Sequence, residues 1–189
     1  MKKFFSATIL AVTLLIVESS AQAMPVQLYD HSVDYVISDL RTVGRKLDIS
    51  IWGTEYYTYQ GARRCELHFG NSDNNTIRFR LNNDNSVVRV LVSVWVPDGK
   101  LSRSVVQATE QCGLIAGGIL YLVGLTQSEV ESLSNNAADD FYDAINNNPN
   151  MTHYHKTSSI WCPRIRRYVV LDCETTTSSM VEYYIYAHD

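Results

Sequence analysis

The pattern His153-Tyr154-His155 is the part of this 189-residue chain whose residue types and spacing come closest to a chemical site. Side chains two residues apart lie on the same side of an extended segment, so the two imidazoles could bind zinc or copper together. Two ligands do not complete a metal site, and the other three histidines are distant in sequence. We therefore expect solvent-exposed histidines here and no bound cofactor.

Sequence signatures of catalysis are missing. The chain has no Gly-x-Ser-x-Gly turn, no His-Glu-x-x-His helix and no glycine-rich loop for a phosphate. The adjacent carboxylates Asp139 and Asp140 fall near the polar side of a predicted amphipathic helix, where a solvated face explains them. The sequence favours a non-enzymatic protein. The alternative is a small secreted hydrolase whose site, in a metal-dependent version, combines His153, His155 and a carboxylate.

Four cysteines indicate that the protein is stabilised by disulfides: Cys65, Cys112, Cys162 and Cys173. An even number of cysteines in an exported chain favours two disulfides, and no Cys-x-x-Cys spacing suggests zinc or redox chemistry. The short segment between Cys162 and Cys173 favours that pair, which leaves Cys65 with Cys112. If the chain turns at Pro163, however, the extended stretch 168–173 could carry Cys173 away from Cys162, so all three connectivities stay open.

The N-terminus has the organisation of an export signal. Two lysines follow the first methionine, an apolar stretch occupies residues 9–17, and Ala21-Gln22-Ala23 is a small-x-small cleavage sequence. We interpret residues 1–23 as a signal peptide and residues 24–189 as the mature protein. The predicted location is periplasmic or secreted.

Charge and hydropathy exclude several classes of partner. The chain has a formal net charge of −4 and no run of basic residues, so we expect binding neither to nucleic acid nor to anionic lipid.

The most apolar stretch, Cys112 to Leu125, has 14 residues, whereas a membrane span needs about 20. We predict that it lies in a buried helix, without membrane insertion, and that Gly113 and Gly117 let another backbone approach closely. The alternative is that these small residues merely fit a crowded core.

Tyrosine is the one residue type in excess, with twelve tyrosines against five phenylalanines. Strand alternation places Tyr57 and Tyr59 together on the outer face of one strand, and Tyr184 and Tyr186 together on the outer face of another. A glutamate lies on the same face of each of these strands. Tyrosine combines apolar area with a polar tip, so these four residues are candidates for a protein-binding surface. The alternative is that tyrosine simply suits a half-exposed strand.

Hydrophobic periodicity predicts one α+β domain. The predicted helices span residues 30–47, 101–125 and 126–145; the predicted strands span 48–60, 63–69, 76–82, 86–96, 168–173 and 181–187, with 152–161 as a further candidate. We expect an antiparallel sheet of about six strands packed against an N-terminal helix and a central helical hairpin. The function expected from these features is that of an exported, non-enzymatic binding protein, such as an inhibitor, an immunity-type factor or an envelope accessory protein.

Overall fold

The structure is a computed structural model that describes residues 27–29, 31–95, 103–134, 154–176 and 180–189. The predicted signal peptide, the carboxylate pair at 139–140 and His153 lie outside the described residues. The elements form one α+β domain, as predicted.

Seven antiparallel strands form a single sheet, one more than the expected number of about six. Their order in the sheet is β1-β2-β3-β4-β7-β6-β5. The bounds are β1 Ile51–Tyr59, β2 Ala62–Phe69, β3 Ser72–Leu81, β4 Val87–Trp95, β5 Tyr154–Cys162, β6 Arg167–Thr176 and β7 Met180–His188. The chain therefore runs through β1 to β4, leaves for the helices, and returns with β7 beside β4.

Two local features shape the first hairpin. Gln60 and Gly61 have positive φ angles of 50° and 73° and link β1 to β2; consecutive left-handed residues suit a tight hairpin turn. In β1, the register with β2 shifts between Trp52 and Glu55, and Gly53 has a φ of 68°. This β-bulge bends the outer edge of the sheet.

The helices lie on one face of the sheet. Helix α1, Val33–Lys46, buries Val33, Val36, Ile37 and Leu40 as its periodicity predicts. Helix α2, Arg103–Val123, packs on α1, β4 and β7. Residues 127–134 form the described part of α3. Thr126 and Glu129 cap its start reciprocally, with Thr126 N–H donating to Glu129 Oε2 at 2.7 Å, which is a capping box.

Helix α2 differs in part from the prediction. Ile115, Ile119 and Leu120 are buried, but Leu114 and Tyr121 are 49% and 62% exposed, so one side of the helix faces outward. The glycine of α2 that packs closely against a neighbouring helix is also not the one predicted. A Cβ on Gly113 would meet nothing within 4 Å, whereas one on Gly118 would lie 2.8 Å from a methyl carbon of Val43 on α1. The close approach is therefore at Gly118, and the expectation for Gly113 is wrong.

Within the described residues, no helix combines the length and the apolar character needed to cross a bilayer.

Candidate functional site: the open face of the sheet

The sheet has one face under the helices and one that no described helix covers, which we call the open face. The inner face carries the apolar residues of alternate positions, among them Leu67, Phe79, Val90 and Ile185. Their neighbours along each strand point to the open face because side chains alternate. Residues on the open face can thus be read from the strand register.

The four predicted tyrosines lie on the open face together. Tyr57 is paired with Arg64 of β2, and Tyr59 with Ala62. Tyr184 and Tyr186 lie on β7, opposite Leu91 and Arg89 of β4. The predicted alternation is confirmed, because Tyr183 between them is buried in the core. The two tyrosine pairs are four strand spacings apart, or about 19 Å, with β2, β3 and β4 between them.

A row of three arginines occupies that interval. Arg64 of β2 is directly opposite Arg80 of β3, and Arg80 is directly opposite Arg89 of β4. We call these three residues the arginine row. Like charges placed directly opposite each other destabilise a sheet, so the arrangement requires an explanation beyond folding. The alternation of TIRFRLN puts Arg80 on a wet face, but the register that aligns three arginines cannot be read from the sequence.

Tyrosine rings hold the two outer arginines of the row. The guanidinium carbon of Arg64 lies 4.8 Å from the centre of the Tyr59 ring, and that of Arg89 lies 4.3 Å from Tyr184 and 5.5 Å from Tyr186. These are cation–π distances. The Nε atoms of Arg64 and Arg89 are both buried and have no hydrogen-bond partner.

The central member, Arg80, is exposed. In the described part of the chain, no carboxylate lies within ion-pair distance of any arginine of the row. The row thus presents a local positive charge on a protein that is acidic as a whole.

Acidic side chains flank the arginine row, and they are already engaged. Glu66 forms an ion pair of 2.6 Å with Arg78 and accepts a hydrogen bond of 3.1 Å from the Tyr57 hydroxyl. Burial, followed by the charge of Glu66, raises the pKa of Tyr57. Glu182 accepts a hydrogen bond of 3.2 Å from Tyr184. Burial is the main reason that the pKa of Glu182 is raised, with the opposite Glu174 contributing.

All three tryptophans of the chain also lie on the open face. Trp52 is paired with His68, Trp95 with Met180 and Trp161 with Tyr168. They are 36%, 46% and 46% exposed. Alternation within single strands does not identify this set, because the order of the strands decides which side chains share a region of the sheet.

His155 pairs with a carboxylate on the same face. Its Nε2 lies 2.6 Å from Asp172 Oδ1, and the Thr157 hydroxyl lies 3.4 Å from that same nitrogen. A relay from hydroxyl through imidazole to carboxylate uses both ring nitrogens, so this geometry does not form one. Within the described residues, no three His, Cys, Asp or Glu side chains are grouped to hold a metal ion.

The four cysteines are buried, and none is bonded to another. The preferred pairing of Cys162 with Cys173 is wrong, because Cys162 is opposite Arg167 and Cys173 is opposite Lys156. Lys156 and Cys162 are six residues apart on β5, which corresponds to about 20 Å along the hairpin, and a disulfide needs Cα atoms within about 7 Å.

Other geometry also separates Cys162 from the remaining cysteines. Its sulfur lies 4.0 Å from the Val123 carbonyl oxygen at the end of α2, whereas Cys112 is eleven residues back along that helix, or about 16 Å. Cys65 on β2 is five strand spacings from β5, about 24 Å.

These separations leave Cys112 as the possible partner of Cys65 or of Cys173. Burial, and then the charge of Cys173, raises the pKa of Cys112 far above its usual range. Burial also raises the pKa of Cys173, to about 12. Gly113 and Ala116, which follow Cys112 on α2, line the same groove as Tyr183, the register partner of Cys173.

That groove, about 930 Å³ in volume, runs between the helices and includes Leu47, Leu114 and Val130. It adjoins Ser134, where the described part of α3 ends. We assign no ligand to it.

Comparisons with known proteins add no family to this description. No protein-family model matches the chain, and neither a curated protein nor a solved structure matches it. Function must therefore be inferred from the open face itself.

Proposed function

We propose that the chain is an exported, non-enzymatic binding protein that recognises a protein partner on the open face of its sheet. The observation that carries the proposal is the joint position of the four tyrosines, the three tryptophans and the arginine row on one face. Tyrosine, tryptophan and arginine are the residue types that dominate binding energy in protein interfaces.

The exposure of the aromatic side chains supports an interface. Tyr59, Trp95 and Trp161 are each about half exposed, at 52%, 46% and 46%. A partner that covered these side chains would remove apolar surface from water, which would stabilise the complex by about 25 cal/mol for each Å² covered. The aromatic residues surround charged residues, which is compatible with an interface that has a mixed apolar and polar surface.

A pull-down from envelope extract tests the proposal. Tyr57→Ala and Tyr184→Ala should each reduce recovery of the partner, while Tyr35→Ala should not. Tyr35 is a matched control because it is 69% exposed but lies on α1, on the other side of the sheet. Circular dichroism would verify that the variants fold. Equal recovery with all three variants would remove the proposed surface.

Export is a separate part of the proposal. Cleavage after Ala23 should leave a mature protein that begins at Met24, which intact-mass measurement of the periplasmic or culture-medium protein would reveal. Detection of the full-length chain alone in those fractions would contradict it.

The alternative function, a small metal-dependent hydrolase, rests on the contact between His155 and Asp172. Metal analysis of the purified protein distinguishes the two functions. Stoichiometric zinc or copper that is lost in His155→Ala would favour the hydrolase, and substoichiometric metal would favour the binding protein.

A further inference from the structure

We propose that the arginine row is the anion-binding centre of the open face and receives carboxylates from an acidic segment of the protein partner. The inference rests on the proposed function, since it names the chemistry that the partner must present. Arginine is suited to this role because its planar guanidinium can donate two parallel hydrogen bonds to one carboxylate.

The row is arranged before any ligand arrives. Its three members span two strand spacings, about 9.6 Å, a width that accommodates two carboxylates from alternate residues of an extended segment. Tyr59 and Tyr184 hold Arg64 and Arg89 by their ring faces. Contact with a ring face leaves the N–H edge of a guanidinium available for a carboxylate. Arg80, exposed between them, completes the row.

Charge repulsion within the row also points to a ligand. Arg80 is directly opposite both Arg64 and Arg89, and like charges in such positions repel each other. A carboxylate between neighbouring guanidiniums would relieve that repulsion.

The flanking charges favour an acidic protein segment over nucleic acid. Glu66 lies two residues from Arg64 along β2, and Glu182 and Glu174 lie four residues from the level of the row on β7 and β6, all toward the same end of the strands. A phosphate backbone carries charge continuously along its length, so a nucleic-acid strand that extended from the row toward that end would meet these carboxylates. A protein segment can place carboxylates at the row alone and basic or neutral residues beside it.

The engaged state of the acidic residues argues against a second copy as the occupant. Asp172 pairs with His155, Glu182 accepts from Tyr184, and Glu174 also has an interaction partner. A second copy that used these three carboxylates to bind the arginine row would have to weaken or break those contacts.

A fluorescent hexaglutamate peptide provides the probe, with the full mature protein at low ionic strength and anisotropy as the measurement. Arg80→Gln should weaken binding about tenfold or more, the range expected for loss of one charged hydrogen-bonded contact. Arg80→Lys should have an intermediate effect, because lysine keeps the positive charge but cannot donate two parallel hydrogen bonds to one carboxylate. Arg63→Gln should bind like the wild type.

Arg63 is a charge-matched control. It is exposed, next to Arg64 on β2, and on the opposite face, where it donates to the Asn83 carbonyl oxygen at 3.1 Å. Equal weakening by Arg63→Gln and Arg80→Gln would show that net charge alone is measured. Tighter binding of an oligothymidylate than of hexaglutamate, or a wild-type dimer that Arg80→Gln dissociates, would also overturn the proposal.

The two proposals can fail separately. Loss of partner recovery in the tyrosine variants, together with unchanged hexaglutamate binding by Arg80→Gln, would leave the interface in place and remove the arginine row as its anion site.

Discussion

Changing the charge of Arg80 should stabilise the free protein. Arg80 is directly opposite both Arg64 and Arg89, and each opposed pair of like charges costs about 0.2 to 1 kcal/mol. Because Arg80 is exposed, we expect values near the lower limit. Arg80→Gln, which removes both repulsions, should raise the free energy of unfolding by about 0.5 kcal/mol, and Arg80→Glu, which replaces them with attractions, by about 1 kcal/mol.

Urea denaturation followed by circular dichroism measures this series, since urea leaves the ionic strength unchanged. The order of stability at low salt should be Arg80→Glu, then Arg80→Gln, then wild type, with Arg80→Lys close to wild type. At about 1 M salt the Debye length is about 3 Å, so the differences should largely disappear. Matching substitutions at Arg63, on the other face, should give a smaller series.

A series in the reverse order would refute the reasoning. So would equal gains at high and low salt, because the stabilisation would then have a non-electrostatic origin. Together with the binding experiment, the expected result would show that the row weakens the free fold while it strengthens a complex.

Two further predictions concern buried titratable groups. Burial raises the pKa of Glu182, so its ionisation is less favourable in the folded state than in the unfolded state. The stability of the wild type should therefore fall relative to that of Glu182→Gln as the pH rises above about 4.3, the pKa of an unfolded glutamate. Urea titrations across pH measure this difference, and a destabilisation of the wild type that grows toward acid pH would contradict the prediction. After treatment with oxidised glutathione, non-reducing peptide mapping should show Cys162 as a free thiol, because strand register separates it from Cys173 and Cys65 and the length of α2 separates it from Cys112. A peptide joining Cys162 to Cys173 would contradict that register.

The sequence predicted the parts of the fold that depend on local periodicity. Alternation around Tyr57 and Tyr184 correctly assigned the tyrosines to the outer side of their strands. The spacing of apolar residues identified α1, and the predicted third helix from residue 126 agrees with the described part of α3. Each of these signals acts between residues a few positions apart, so the sequence contains it directly.

Features that depend on how strands pair were not predicted. The arginine row requires both the order and the register of β2, β3 and β4, and neither follows from the alternation within one strand. The same limit explains the wrong pairing of Cys162 with Cys173, because a short loop in sequence spans a long hairpin in space. Tyr57 and Tyr184 were identified separately, and only the return of β7 beside β4 brings them to one face.

The β-bulge at Gly53 has a consequence for how partners can attach. An edge strand with free N–H and C=O groups invites another chain to extend the sheet. The left-handed Gly53 and the register shift between Trp52 and Glu55 interrupt the regular spacing of those groups along β1. A ligand strand could not continue the hydrogen-bond ladder past this point. The bulge therefore disfavours edge-to-edge pairing with another chain at β1, which leaves side chains as the groups that a partner can recognise.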